Sequence, residues 1–169
     1  LKDRLARELA DMHRLHGLST RLFRGNSLDS MLQRVLEACI ELLAAEKGTV
    51  QTHDEASRCL VMKGQFGFGP ELLRDFSTVQ IGQGVCGLAL EKRTRVIAEN
   101  VHTDDRFTGV RPFFAREGLV ACVSTPFYCH DGRVLGMLSI RHLMADKIDE
   151  LKGEVDALDA YIPEPKRAA

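Results

Sequence analysis

The pattern of apolar positions at the start of the chain predicts two consecutive helices. In residues 1–24, a leucine or methionine recurs every three or four positions, as on one face of an α-helix. Gly25-Asn26-Ser27 interrupts this pattern, and Ser27 is a good N-cap for a second helix from Leu28 to about Ala45. The broad apolar face of that second helix is typical of a helix lying against a sheet.

Shorter apolar runs after the second helix predict a sheet. Weak alternation indicates one strand over 48–53, and a second run follows at 59–63. Brief strands are expected at 76–81 and 95–98, with a short helix over 85–91 that opens at Gly82-Gln83-Gly84. Residues 99–118 are expected to form a long, mostly irregular connection.

The clearest strand signal is a hairpin near the end of this pattern. Residues 119–128 and 134–140 are apolar on both alternating faces, and Asp131-Gly132 between them is a strong turn signal. A hairpin with two apolar faces must be covered on both sides. We expect the terminal helices to cover one face, and the short helix with the 99–118 connection to cover the other. Since long connections are often binding loops, a small ligand cavity is expected under this second cover.

The C-terminal segment carries an apolar stripe at heptad spacing. Its members recur at intervals of three and four among charged neighbours, and Pro163 ends the pattern. We expect the stripe to pair with a second copy in a homodimer, and packing on the domain itself is the alternative. The residues of this dimer helix are Ile148, Leu151, Val155 and Leu158.

Composition narrows the class of protein. A length of 169 residues fits one domain with a full core, and 23 basic against 24 acidic residues argue against nucleic-acid or membrane-surface binding. No run reaches the about 20 apolar residues that span a bilayer. The five cysteines are scattered and include no CxxC pair, which indicates reduced thiols in a cytoplasmic protein. The start at Leu1 is expected to be that of a fragment.

Four segments in this order resemble the GAF domain family. They match its glycine-rich start of a short helix, the strand and acidic-Arg-Phe turn that follow, and the two strands of its closing hairpin. The resemblance implies an α+β, PAS-related fold with a central antiparallel sheet of about five to six strands. It implies terminal helices on one face of the sheet and a pocket covered by a loop and a short helix on the other. The matching segments are 81–89, 95–107, 124–127 and 131–139.

The resemblance also implies an organisation and a function. Residues 1–24 are expected to be a signalling or linker helix, 25–142 the GAF core, and 143–169 an amphipathic helix and linker. Residues 11–22 are similar to the helix that leads into GAF domains of bacterial sensor histidine kinases. The implied function is non-catalytic sensing within a two-component system, with a kinase or other output domain adjacent in the parent chain. A ligand-free dimerisation module is the alternative.

The expected pocket combines apolar groups with a few polar groups that orient a ligand. Arg106 and Arg111 are candidates for an anionic ligand, with loop-tethering ion pairs as the alternative. His53 and His142, like the two histidines of the first helix, are expected on surfaces or helix faces. The candidate pocket residues are Cys86, His102, Arg106, Phe107, Phe113, Phe114, Cys122 and Ser124.

The ligand stays unassigned, because each known ligand class of the family matches poorly. Cys129-His130 resembles a bilin-anchoring dipeptide but lies at the hairpin tip. Asn100 resembles part of the cyclic-nucleotide signature, but Val101 follows it where that signature has lysine. Haem would depend on His102 as its axial ligand. We therefore expect none of these three, and no metal site.

The enzymatic alternative is a free methionine sulfoxide reductase, which shares the fold. Gly84-Val85-Cys86-Gly87 resembles one of its cysteine motifs. The family's other two cysteines would fall near Val96 and in 111–113, where this chain has none. Its acidic residues on the last strand are met here by Ser139-Ile140-Arg141. We therefore expect Cys86 to be a packing residue and the domain not to be an enzyme.

Overall fold

Six strands form one antiparallel sheet in the computed structural model, which describes residues 27–144. Their order across the sheet is β3-β2-β1-β6-β5-β4, and every neighbouring pair is antiparallel. The α+β, GAF-like architecture is thus confirmed. The expected helices in 1–24 and in the C-terminal segment lie outside the described residues. In chain order the elements are α1 (Leu28–Leu42), β1 (Lys47–Asp54), β2 (Cys59–Phe66), α2 (Glu71–Phe76), β3 (Thr78–Gln80), α3 (Gly84–Lys92), β4 (Val96–Ala98), a 3₁₀ helix (Asp105–Val110), α4 (Arg111–Arg116), β5 (Ala121–Tyr128) and β6 (Val134–His142).

Helix α1 covers one face of the sheet. Ser27 caps it by accepting a hydrogen bond from the Ser30 amide at 3.2 Å, as the sequence predicts. Leucines and an isoleucine four residues apart form its buried stripe, which packs against Val50 of β1 and Ile140 of β6. Gly48 permits this close approach, because a Cβ there would lie 2.8 Å from the side chains of Leu36 and Ile40.

The predicted hairpin is formed by β5 and β6. Its turn contains Asp131-Gly132, with Gly132 at a φ of +84° that favours glycine. Asp131 accepts hydrogen bonds from the amide and Nε of Arg133 at 3.0 and 2.8 Å. The pKa of the Asp131 carboxyl is lowered, chiefly by the hydrogen bond from the Arg133 side chain.

The opposite face of the sheet has a helical cover, so the prediction of a mostly irregular connection over 99–118 was wrong. Asp104 caps the 3₁₀ helix by accepting from the Arg106 amide at 3.1 Å, and Pro112 lies in the first turn of α4. Helix α2 joins this cover, although no helix was predicted there. The expected strand over 76–81 is reduced to Thr78–Gln80.

Alternation along the central strands divides their side chains between the two covers. Val50 and Ile140 face α1, whereas Thr49 and Arg141 face the helical cover. His142 is fully buried, and its Nδ1 lies 3.2 Å from Glu46 Oε2, so the expectation of a surface histidine was wrong. Among residues 27–144 there is no helix with the length and hydropathy that crossing a membrane requires.

Candidate functional site

Three neighbouring strands place hydroxyl groups in one row on the face under the helical cover. The register pairs Thr49 of β1 with Ser139 of β6, and Ser139 with Ser124 of β5. Directly paired residues of antiparallel strands share a face, and all three side chains are fully buried. Ser124 Oγ and Ser139 Oγ are 2.8 Å apart. The sheet therefore has a polar strip within an otherwise apolar layer.

Arg141 lies beside this strip and is only 7% exposed. Its Nη1 donates to Thr49 Oγ1 at 2.9 Å, and its Nη2 is 3.6 Å from Cys86 Sγ. The guanidinium carbon lies 5.4 Å from the centroid of the Phe68 ring. Nε is buried with no hydrogen-bond partner, and no carboxylate of residues 27–144 forms an ion pair with this side chain. Arg141 thus places a positive charge in the interior with no carboxylate of the described residues within ion-pair distance.

Helices of the cover close over the strip. Gly87 lets α3 approach the sheet edge, because a Cβ there would lie 2.3 Å from the carbonyl oxygen of Gln80. This approach holds Cys86 above Ser139, with Sγ and Oγ 3.0 Å apart. Phe113 of α4 is the centre of an aromatic cluster, with its ring centroid 4.4 Å from that of Phe76.

A cavity of about 40 Å³ remains between the strip and the cover. A single water requires about 10–15 Å³ by this measure, so the cavity has room for about three waters. Its walls are mostly apolar, and its polar groups come from β1, β6 and the residue before α3. The lining residues are Thr49, Gln51, Met62, Leu72, Phe76, Val79, Gln83, Gly84, Val85, Cys86, Val110, Phe113, Phe114, Cys122 and Arg141.

Five of the sequence-predicted pocket residues come together here. Cys86, Phe113, Phe114 and Cys122 line the cavity. Ser124 lies directly behind them, donating from Oγ to Cys86 Sγ at 3.5 Å.

The other three predicted residues lie elsewhere in the cover. His102 Nε2 is 2.8 Å from the Leu119 carbonyl oxygen, and Phe107 is 1% exposed within the core. Arg106 bonds to Asp104 through Nε and Nη2, with a shortest distance of 2.6 Å, and it is largely exposed. Arg111 similarly contacts Asp105 at 3.1 Å. Both arginines tether the loop rather than face the cavity.

The two cavity cysteines are thiols without a disulfide partner. Burial raises the pKa of Cys122 to about 11, so this thiol is neutral at physiological pH and is a poor nucleophile. No cluster of three or more histidine, cysteine or acidic side chains in the described part of the chain could hold a metal ion.

Sequence reasoning missed the polar residues of the cavity. Thr49, Gln51 and Arg141 were not among the candidates, although the alternation of β1 and β6 could have found them. Counting by twos from Met137 places Ser139 and Arg141 on one face of β6. A charged residue at an alternate position of a strand, on the same face as buried residues, is the signal that points to a site.

Comparison with solved structures agrees with this architecture. The GAF domain of a phosphoenolpyruvate-protein phosphotransferase from Coxiella burnetii is 19% identical, with a TM-score of 0.69, covering 79% of this chain and 78% of that chain. The nlh2 GAF domain of A. aeolicus, in an inactive state, is 17% identical with a TM-score of 0.70, covering 91% of both chains. Free methionine-R-sulfoxide reductase from Neisseria meningitidis, in complex with its substrate, is 17% identical with a TM-score of 0.61, covering 75% of this chain and 70% of that one. At these identities the likeness shows a shared fold.

Sequence comparison gives the family. No curated protein matches the chain significantly. A family model described as GAF domain matches residues 25–154, which is well over half of the chain. With six antiparallel strands in the expected arrangement as well, the chain belongs to the GAF domain family.

Proposed function

We propose that this chain is a sensory, regulatory GAF domain whose cavity takes a small ligand. The observation that carries this proposal is the cavity itself, which has a polar floor on β1 and β6 and apolar walls from the cover. Small-molecule sites in proteins commonly combine apolar walls with a few placed polar groups. At about 40 Å³, the cavity favours a ligand much smaller than a haem, a bilin or a cyclic nucleotide.

The sheet offers a route from this cavity to the terminal segments. Thr49 and Arg141 face the cavity, while the adjacent Val50 and Ile140 contact α1 on the opposite face. A ligand that repositions β1 or β6 therefore changes the surface on which α1 packs. It shifts the balance of two packing states only by the difference between its affinities for them.

The proposed context is a cytoplasmic bacterial signalling protein, most specifically a sensor histidine kinase. The similarity of residues 11–22 to the helices that precede GAF domains in such kinases supports this context. The stripe that starts at Ile148 supports a homodimer through the terminal helices. The output domain is assigned by family analogy.

A thiol reductase is the second candidate, because Cys86 and Cys122 both line the cavity and the fold is shared with free methionine-R-sulfoxide reductases. Three observations favour sensing instead. The cavity is too small for a whole amino acid, the Cys122 thiol is held in its protonated form, and Arg141 stands on the last strand where the reductases carry acidic residues. Turnover of free methionine sulfoxide with dithiothreitol, abolished in Cys86→Ser, would establish the reductase.

Native mass spectrometry and hydrogen exchange together test the sensing proposal. Native mass spectrometry of the purified chain, after incubation with a bacterial small-molecule extract, reports any retained molecule. We expect the loaded protein to exchange more slowly in residues 105–116 of the cover and to change its exchange in α1. Both changes should be absent for the same protein after dialysis. Retention without any change in α1 would contradict signalling through the sheet, and the absence of both retention and ligand-dependent stabilisation would contradict ligand sensing.

A further inference from the structure

We propose that the cavity binds a small, singly charged anion and that Arg141 is the residue that holds it. The inference rests on the proposed sensory function, because it names the ligand class of that same cavity. It is carried by the buried, uncompensated guanidinium and by the polar groups around it.

The charge on Arg141 has no protein counterion among residues 27–144. Three other arginines of the described chain contact carboxylates: Arg106, Arg111 and Arg133 lie 2.6 to 3.1 Å from an acidic oxygen. These three side chains are 30 to 59% exposed, whereas Arg141 is 7% exposed. A guanidinium cannot escape burial by losing its proton. An interior cation without an anion is costly, so a bound anion is the expected partner.

One edge of the guanidinium is left for such a partner. Nη1 is engaged with the Thr49 hydroxyl, Nε has no acceptor, and Nη2 has only the long sulfur contact to Cys86. Nε and Nη2 form the side-on fork that holds planar oxyanions through two parallel hydrogen bonds. The face of the group rests against Phe68, which compensates part of the charge and fixes the plane of the fork.

The remaining polar groups of the cavity also favour an anion. Gln51 is 1% exposed, and its Oε1 has no hydrogen-bond partner. The two ends of an amide are exchanged by a simple flip, so Gln51 can offer its NH₂ group to the cavity. No aspartate or glutamate of residues 27–144 lines the cavity, which argues against a cationic ligand.

Size and charge balance set the ligand class. A cavity of about 40 Å³ holds a ligand of about three or four non-hydrogen atoms. One guanidinium balances one negative charge. Nitrate, nitrite and formate satisfy both conditions, and chloride carries the same charge in a smaller volume. Sulfate and dicarboxylates exceed the charge, and phosphate exceeds the size.

Thermal unfolding of the full 169-residue chain tests the proposal. The buffer contains only a large organic anion and is titrated with sodium nitrate, sodium formate or sodium chloride, with sodium sulfate at matched ionic strength as control. We expect a saturable rise of Tm with at least one small anion, and no such rise with sulfate. An equal response to every salt, or no response to the small anions, would overturn the proposal.

Arg141→Met and a control variant, Arg74→Met, test whether the anion-dependent rise of Tm depends on Arg141. Arg141→Met keeps the length of the side chain and removes its charge, so the saturable response should vanish while Tm without anion equals or exceeds that of the wild type. Arg74→Met, at a residue whose side chain is 72% exposed, should respond as the wild type does. A purely structural Arg141 would instead lower Tm when replaced, and the anion response would be missing from the wild type too.

A crystallographic measurement remains decisive if Arg141→Met does not fold. Wild-type crystals soaked in sodium bromide should show anomalous density beside the Arg141 guanidinium, and bromide bound only at other places would overturn the proposal. A neutral molecule retained in native mass spectrometry, without any anion response, would reject the anion and leave the sensory function standing. No retained molecule and no anion response would reject both.

Discussion

The Cys122 thiol lies beneath the helical cover, where its ionised form would lose all hydration. Burial raises its pKa from an ordinary value of 9.0 to about 11. Between these two pH values the unfolded chain releases the thiol proton, while the folded chain retains it. The folded state then binds more protons than the unfolded state, so the free energy of unfolding falls as pH rises through this interval.

We expect this thiol to account for a loss of about 2 to 3 kcal/mol between pH 9 and 11, since one pKa unit corresponds to about 1.4 kcal/mol. Urea unfolding of the wild type and of Cys122→Ser measures it, because a serine hydroxyl does not ionise in this range. The variant should lose less stability above pH 9. Below pH 8 the two profiles should run parallel, and equal slopes above pH 9 would show that the thiol ionises freely in the fold.

At the scale of single residues, the sequence predicted the aromatic and cysteine residues of the cavity but not its charged residue, Arg141. Phe113, Phe114 and the two cavity cysteines were predicted because they are apolar residues in the expected cover and hairpin. Arg106 was a candidate because it lies in the expected cover of the pocket, yet it forms the loop-tethering ion pair that was the alternative, with Asp104 two residues away. Whether an arginine faces a carboxylate or a cavity depends on neighbours distant in the chain, which no local pattern reports.

At the scale of elements, the position of α3 depends on the absence of a side chain at Gly87. A Cβ there would lie 2.3 Å from the Gln80 carbonyl oxygen and 3.1 Å from the Gly82 nitrogen, both of which are backbone atoms. We expect Gly87→Ala to lower the free energy of unfolding by up to about 2 kcal/mol, as measured by urea denaturation. Overpacking costs about 1–3 kcal/mol, and the better helix propensity of alanine offsets about 1 kcal/mol of it.

Gly109 provides the matched control for this substitution. It lies in the 3₁₀ helix of the same cover, and a Cβ there would meet no atom within 4 Å. Gly109→Ala should change the free energy of unfolding by less than about 0.5 kcal/mol or increase it slightly. If both variants lost the same stability, the approach of α3 to the Gln80 turn would not be what Gly87 provides.

The elements that the sequence predicted correctly were those with a long apolar periodicity or a specific turn motif. Helix α1 presents four turns of apolar periodicity behind Ser27, and the Asp131-Gly132 turn fixes the hairpin. The 99–118 part of the cover was mistaken for an irregular loop because each of its two helices has six residues, which is less than two turns of α-helix. Their helical form comes from packing Phe107 and Phe113 into the core, a tertiary effect.

At the scale of the whole molecule, the central strands serve both faces of the sheet. β1 and β6 are adjacent and carry the contacts of α1 on one face and the floor of the cavity on the other. Interiors packed at this density do not absorb a ligand by local compression alone. A change in the cavity is therefore expected at α1, whose N-terminal end follows directly on the helix predicted over 1–24.

The predicted homodimer gives the last test at this scale. The stripe lies outside the described residues, so the prediction rests on its sequence pattern alone. We expect Leu151→Glu combined with Val155→Glu to weaken self-association by at least about tenfold, because each change would place a charge in an apolar helix interface. Sedimentation equilibrium over a range of protein concentrations measures the dissociation constant.

A charge change outside the stripe separates the effect of position from that of charge. Lys152→Glu alters a flanking residue, so it should leave the association within about threefold, as expected for an exposed charge. The thermal unfolding of the double variant decides between the two interpretations of the stripe. If association is lost while Tm at low concentration is unchanged, the stripe pairs two copies. If Tm falls sharply and the wild type is already a monomer, the stripe packs on its own domain, and signalling through a terminal dimer is contradicted.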